Sequence, residues 1–361
     1  MNLSRTAFVT FFPIKPNNMG SSAVINSRFE NWPTKKKLFQ ISHVKKLNTK
    51  NIETVFIKKE TPLRKIISLP KITFKIIQYL KRSQKKNLVL EGASWIFYSF
   101  FIIFFLKIFL PKTNIIYISH GIESEIRKKY SNIFIFKITK IIEKLVFKYS
   151  NITTSVSERD KKKIKKIYKE ETKILPNAIS LKKFKKKNKI KDDYIIYTGS
   201  YLYKPNKESI DLLNKSIMPE LVKIFPNIKL VLTGGGFDKK FSWLINKKIV
   251  PKSELYNLIF FSKCMCVPIM FGYGTRIKII EALSIGAIVI STKKGIEGIK
   301  INSNNPPFII SNKKQFLKKI IEIIKKNKEI KKKSIIKRNY YLKNYSMENI
   351  LKIFIKKYGI E

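Results

Sequence analysis

Residues 271–292, FGYGTRIKIIEALSIGAIVIST, decide how this chain reads. Ile277, Ile280, Leu283 and Ile285 recur at helical spacing, and Gly286 follows where a helix C-cap belongs. The apolar AIVIST after it has the make-up of a buried strand, and the strand-like CMCVPIM (264–270) precedes the loop. A helix beginning near Thr275 would aim its first backbone N–H groups at the C-terminal edge of a parallel sheet, where α/β folds bind ligands. Those donors and the positive helix end favour a phosphate. Gly272 and Gly274 let the backbone come close, and Arg276 and Lys278 add positive charge. Glu281 lies about one and a half turns in, and a carboxylate there can accept two O–H hydrogen bonds from a diol. Phosphate plus diol points to a nucleotide. The competing reading of the same spacing is a surface turn leading into a salt-bridged helix.

Outward from this unit, short apolar runs alternate with helical patterns. The strand candidates are AFVTFF, KLFQIS, ETVFI, NLVL, IIYIS, NITTSV and TKILP, then YIIYTG, IKLVLTG, KIVPK, CMCVPI, AIVIST and PFIIS. Strands alternating with helices predict parallel sheets covered on both faces. The charged KKFKKKNKIKDD (182–193) separates the two series as a solvated linker. Two doubly wound domains are expected, over 1–185 and 186–340. The tail, 341–361, holds a helix whose apolar face carries Met347, Ile350, Leu351, Phe354, Ile355 and Tyr358, with Ser346 as its cap.

The length of 361 residues fits two such domains, and a hydrophobic share of 44% is that of a globular chain. Lys+Arg 75 against Asp+Glu 24 gives a net charge of +51. A charge of that size can serve nucleic acid or an anionic membrane surface, or it can follow from a compositional bias shared with the abundant Ile, Asn and Phe. The two cysteines, Cys264 and Cys266, share a strand face and read as buried thiols in a reducing compartment. The N-terminal MNLSRTAFVTFF is too short an apolar run for a signal peptide and reads as a first strand. WIFYSFFIIFFLKIFL (95–110) has sixteen residues with Lys107 inside. That is short of the ~20 that span a bilayer, so a largely buried helix is expected. A helix dipping one face into a membrane is the sharper alternative.

The residues also carry a resemblance. VPIMFGYGTRIKIIEALSIGAIVISTKKGIEGI is similar to the nucleotide-sugar segment of family-4 glycosyltransferases (group 1 glycosyl transferases), which have the GT-B fold. IIYTGSYLYKPNKESIDLLNKSIMPEL, LVLTGGG and PKSELYNLIFFSKCMCVPI resemble the preceding elements of their C-terminal domain. ISHGIE, TTSVSERD and ILPNAIS resemble marks of the N-terminal domain, and YSMENILKIFIKKY their closing helix, which crosses back to that domain. The match covers most of 110–360, and the first hundred residues match only loosely, with a Gly-containing loop at NNMGSS.

The resemblance implies two Rossmann-like domains facing a cleft, and transfer of a sugar from a nucleotide-diphosphate donor with retention of configuration. It implies a ribose-binding role for Glu281. It places Gly274, Thr275 and Arg276 against the donor sugar and diphosphate, and His120 close to the sugar. Gly20 and Ser21 would close over the diphosphate; Gly199, Ser200, Gly234 and Gly235 would form turns beside the donor. His120 and Arg276 are the catalytic candidates, with Lys278 a further donor ligand. The chain departs from the family at Tyr273, where a second glutamate is frequent, and at Ser200, where an arginine is frequent; Lys204 and Lys207 only flank the usual lysine. Arg276 and Lys278 are placed to take over the diphosphate, since arginine pairs bidentately with phosphate.

No Asp-x-Asp pair occurs, and the adjacent acids of KDDY fall in the linker, so neither a metal nor a cofactor is expected. The expected partners are a nucleotide sugar, a glycan or lipid-linked acceptor and an anionic membrane surface. The expected location is cytoplasmic, peripheral on the inner face of the membrane. Two other readings stay open: a GT-B-like subunit without catalysis, favoured by Tyr273 and Ser200, and a basic nucleic-acid binder, disfavoured by the lack of any recognition motif.

Overall fold

Among the described residues of a computed structural model of the chain, thirteen strands built from Val, Ile, Leu, Phe and Tyr form two sheets. The structure describes all residues except 1–3, 12, 15–19, 44–50, 182–189, 273, 303–306 and 361. The chain divides into two compact units, one of Met1–Ala178 with Met347–Glu361, the other of Ile179–Ser346.

The first unit begins with β1 (Arg5–Thr10), α1 (Gly20–Asn31), β2 (Lys35–Ser42), β3 (Ile52–Phe56) and α2 (Pro62–Lys81). It continues with β4 (Lys86–Gly92), α3 (Ile96–Phe109), β5 (Asn114–Ser119), α4 (Glu123–Tyr130) and α5 (Ile133–Tyr149). β6 (Ile152–Ser155), α6 (Glu158–Tyr168) and β7 (Lys173–Ile174) complete the series. The strand order is β3-β2-β1-β4-β5-β6-β7, all parallel. Direction of travel reverses between β1 and β4, so the ends of those strands frame the crevice where such sheets hold ligands. The sheet is buried on both faces, which is why its strands read as continuous apolar runs. Local signals set the helix ends. Thr61, Asn132 and Ser157 accept hydrogen bonds from Arg64, Ile135 and Asp160 backbone N–H groups and cap α2, α5 and α6.

The second unit contains β8 (Tyr194–Thr198), α7 (Lys204–Leu212), a π-helical turn at Leu213–Ile217, and α8 (Met218–Ile224). Then come β9 (Lys229–Thr233), β10 (Leu244–Asn246), α9 (Lys252–Phe261), β11 (Met265–Val267) and α10 (Ile277–Ser284). β12 (Val289–Ser291), β13 (Phe308–Ile309), α11 (Lys313–Lys325) and α12 (Asn327–Tyr345) follow. The strand order is β10-β9-β8-β11-β12-β13, again parallel, with the reversal between β8 and β11. One apolar cluster covers each face of this sheet. The last helix, α13 (Met347–Tyr358), belongs to the first unit, where it packs on α1 and buries Met347, Leu351, Phe354 and Ile355.

The strands follow the sequence expectation with one correction. KIVPK (248–252) is not a strand: Lys248 has φ 49°, Ile249 is exposed, and Pro251 stands at the N-cap of α9. The strand lies just upstream, at β10, and pairs with β9 alone. Cys264 and Cys266 are fully buried free thiols with sulfurs 3.7 Å apart. WIFYSFFIIFFLKIFL forms α3, with Ile102, Ile103 and Leu106 buried and Phe104, Ile108 and Phe109 exposed. No helix among the described residues is long and apolar enough to cross a membrane. Of the linker expected at 182–193, residues 182–189 lie outside the described ones, Ile190 is buried and Lys191, Asp192 and Asp193 are exposed.

Candidate functional site

In the second unit three loops leave the C-terminal ends of β8, β9 and β11 beside the reversal point. Two of them touch backbone to backbone. Gly234 has φ +116°, and a Cβ there would lie 2.4 Å from the Gly199 carbonyl carbon and 2.7 Å from Ser200 N. The Gly199 N–H donates to Thr233 O at 2.8 Å, and the Tyr201 N–H to Gly235 O at 3.0 Å. Gly199 itself has φ +136°, and a Cβ on it would meet Asn206 Nδ2 and Lys278 Nζ, each at 2.7 Å. Only glycine fits either position. Ser200 sits in this turn: its Oγ accepts from the Leu202 N–H at 3.3 Å, and its carbonyl from Asn206 Nδ2 at 2.9 Å.

The third loop leads into α10, which starts at Ile277, two residues later than Thr275. Arg276 occupies the N-cap position and supplies no side-chain cap. Its guanidinium is buried against its own loop, donating to Gly274 O and, at 3.5 Å, to Phe271 O. Burial holds the Arg276 pKa below its ordinary value. Gly274 (φ +75°) is exposed with open space around it, Thr275 is half-buried, and Tyr273 lies outside the described residues.

In the first turn of α10, Lys278 reaches across to the end of β8. Its Nζ donates to Thr198 O, to Asn206 Oδ1 at 2.9 Å and to Tyr197 Oη at 3.2 Å, and lies 4.3 Å from the Tyr197 ring centroid. Burial, with Arg276 adding to it against Glu281, pushes the Lys278 ammonium down to about 7. Glu281 follows on the same helix, 6% exposed. Its Oε1 accepts from Lys252 Nζ and, at 3.3 Å, from Tyr256 Oη, both on α9. Arg276 at the N-cap of α10 and Lys278 and Glu281 within it are thus gathered with Gly199, Ser200 and Gly234 at one sheet edge. The arrangement offers two cations and glycine-lined backbone to a diphosphate and a carboxylate to a diol.

The first unit holds the remaining candidates. Gly20 opens α1 and is exposed, with no atom within 4 Å of the Cβ it lacks, and Ser21 is half-buried. The NNM of NNMGSS lies outside the described residues. His120 follows β5, with Nε2 2.7 Å from Glu91 Oε2 of β4. Arg28 of α1 places Nη1 2.7 and 2.6 Å from the two Glu91 oxygens. Both Arg28 and Glu91 side chains are fully buried. Burial pushes the Glu91 carboxyl up, but Arg28 and His120 outweigh it and hold it below the ordinary carboxylate value. An ionised Glu91 only accepts, so His120 Nε2 is the donor and the ring orientation is fixed from behind. Glu123 opens α4 and accepts from Ile96 N–H at 2.6 Å, capping α3. Burial, against Arg127, pushes Glu123 up to about 7.

Sequence reasoning missed Arg28, Glu91, Lys252 and Tyr256. For the last two a signal existed: they lie four apart on one face of a helix preceding the donor loop. Arg28 and Glu91 are 63 positions apart and look like any other charged pair in sequence.

Residues 192–326 match the family described as Glycosyl transferases group 1. No curated protein sequence matches the chain. Among solved structures, sucrose-phosphate synthase from Thermosynechococcus elongatus is 12% identical, with a TM-score of 0.71 over 99% of this chain and 98% of that one. HepE from Anabaena, in complex with UDP and glucose, is 10% identical, with a TM-score of 0.73 over 99% and 100%. A glycosyltransferase from Rickettsia africae is 12% identical, with a TM-score of 0.66 over 99% and 98%. The resemblance to group 1 glycosyltransferases is borne out over the matched segment, and the fold is GT-B.

Proposed function

We infer that the chain is a glycosyltransferase of the GT-B type that moves a sugar, of hexose type and with retained configuration, from a nucleotide-diphosphate donor to a glycan or lipid-linked acceptor. The observation that carries this is the gathering of Arg276 at the N-cap of α10, and Lys278 and Glu281 on it, beside the glycine turns after β8 and β9. Glu281 takes the ribose diol, displacing part of its bonding to Lys252 and Tyr256. The first turn of α10, with Arg276 and Lys278, takes the diphosphate and stabilises the charge that grows on it as the glycosidic bond breaks. With two cations and a helix end in that role, the reaction proceeds without a metal or other cofactor. His120 donates or accepts at a sugar hydroxyl. UDP is placed first among the nucleotides because HepE is seen with UDP and glucose. Synthesis of a cell-surface polysaccharide is the process such a transfer would serve.

The test is a thermal-shift screen against UDP, GDP, ADP and CMP and their sugars, with EDTA present, for the wild type and Glu281→Ala. A ligand at 100 times its dissociation constant stabilises by about 2.7 kcal/mol. A nucleotide that shifts the wild type and not the variant supports the reading. No shift from any nucleotide removes it and leaves the non-catalytic subunit, for which Ser200 at the usual arginine position is the motivating residue. A shift only when Mg²⁺ or Mn²⁺ replaces EDTA overturns metal independence.

A further inference from the structure

In the first unit α3 packs side by side with α2 and α5 on one face of the sheet. The inner faces are apolar, as the core requires. The outer faces are apolar too. Phe104, Ile108 and Phe109 of α3 and Ile133, Phe134 and Ile141 of α5 are 50% to 69% exposed. α2 adds Ile67 and Phe74 to the same layer. Large apolar side chains exposed on three neighbouring helices mark a surface that meets something.

The charge pattern says what it meets. α2 carries five basic residues, α3 one and α5 four, against a single carboxylate, Glu143, which is 1% exposed. That carboxylate points inward, accepting from the Glu123 and Ser124 N–H groups. Lys137, Lys140, Lys144 and Lys148 recur every three or four residues on α5, on the stripe that also carries Ile133, Phe134 and Ile141. A surface of Phe and Ile ringed by lysine, with no exposed acid on its three helices, complements an anionic bilayer. There apolar side chains enter the acyl boundary, while lysine stems lie along it and hold their ammonium groups at the phosphates. A second copy of the chain would bring its own lysines against these. A hydrated nucleic-acid backbone would leave the phenylalanines and isoleucines in water.

We propose that the outer face of α2, α3 and α5 is a docking surface for an anionic lipid bilayer, with α3 and α5 lying flat in the interface. The proposal is independent of the transfer reaction. At 14 residues α3 is too short to span, so attachment is peripheral and reversible.

The experiment is flotation of the full chain with vesicles of phosphatidylcholine alone and of phosphatidylcholine with 30 mol% phosphatidylglycerol. Three variants are run beside the wild type. Phe104→Ser/Ile108→Ser/Phe134→Ser leaves the charge unchanged. Lys137→Gln/Lys140→Gln/Lys144→Gln leaves the apolar residues unchanged. Lys325→Gln/Lys328→Gln/Lys332→Gln removes equal charge from exposed positions of the second unit. The expected result is binding to anionic vesicles only, weakened at least about tenfold by the serine variant and about fivefold per lysine by the α5 variant. The second-unit variant should bind as the wild type does. Equal loss in the two lysine variants overturns the surface in favour of diffuse charge. Unchanged binding in the serine variant overturns it, as does dimerisation or oligonucleotide binding that the serine variant abolishes while vesicles are ignored. Circular dichroism confirms that all three variants are folded, and the serine and α5 variants probe the face independently.

Discussion

At the scale of single residues, two buried charges carry consequences that can be measured. Glu91 is the only carboxylate within hydrogen-bonding reach of Arg28 among the described residues. Glu91→Gln leaves an uncompensated buried guanidinium, a change that costs about 3–5 kcal/mol. The expected fall in urea midpoint should be largely recovered by Arg28→Met/Glu91→Leu; a double variant no better than the single would show that the pair is not coupled. Lys278 gives a pH dependence. Its folded pKa of about 7 lies below the unfolded value of 10.5, so the folded state binds fewer protons between those limits. Its contribution to stability is present above 10.5 and is lost as pH falls through about 7. Urea unfolding from pH 6.5 to 9.5 should therefore show a rise in stability that is flatter in Lys278→Met. Equal slopes would remove the buried-cation account. On the proposed donor site, a nucleoside diphosphate would favour the charged lysine, and its measured affinity is expected to fall over the same pH range.

At the scale of elements, the close approach of Gly234 to Gly199 fuses the turns after β8 and β9. Gly234→Ala drives a Cβ into backbone and should destabilise by more than about 1 kcal/mol while abolishing nucleotide binding. Gly274→Ala, with φ also positive but open space around it, should be milder in both. Equal effects would mean that strain alone, not the contact, matters. Glycine turns of this kind are legible in sequence because they follow strands whose burial on both faces leaves an unmistakable apolar run. β10 was not legible. An edge strand of three half-buried residues paired on one side carries little hydrophobic signal, and the apolar pair of KIVPK outweighed it. The loop before α10 was read correctly as a glycine entry, but the buried course of Arg276 along it was not. Lys252 and Tyr256 share a helix face that spacing shows, but spacing along one helix does not name Glu281 as the partner they meet on another. In a chain with 75 basic residues, a lysine or arginine that folds inward looks like its solvated neighbours.

At the scale of the molecule, the first unit is closed by the last helix. α13 buries Met347, Leu351, Phe354 and Ile355 and packs on α1, and each such side chain contributes about 1.5–3 kcal/mol. Together they rival the roughly 5–15 kcal/mol net stability of a typical domain. A chain ending at Ser346 should therefore lose the first unit while keeping the second, seen in limited proteolysis as a resistant core within residues 179–346. Survival of both units would show that α13 is dispensable to the fold. The same connectivity governs the order in which the protein can be made. The ribosome releases the whole of the second unit before it delivers the helix that α1 needs. At about 5–20 residues per second, α1 waits tens of seconds with its partner face uncovered. During that interval the second unit is already complete while the first still lacks its closing helix.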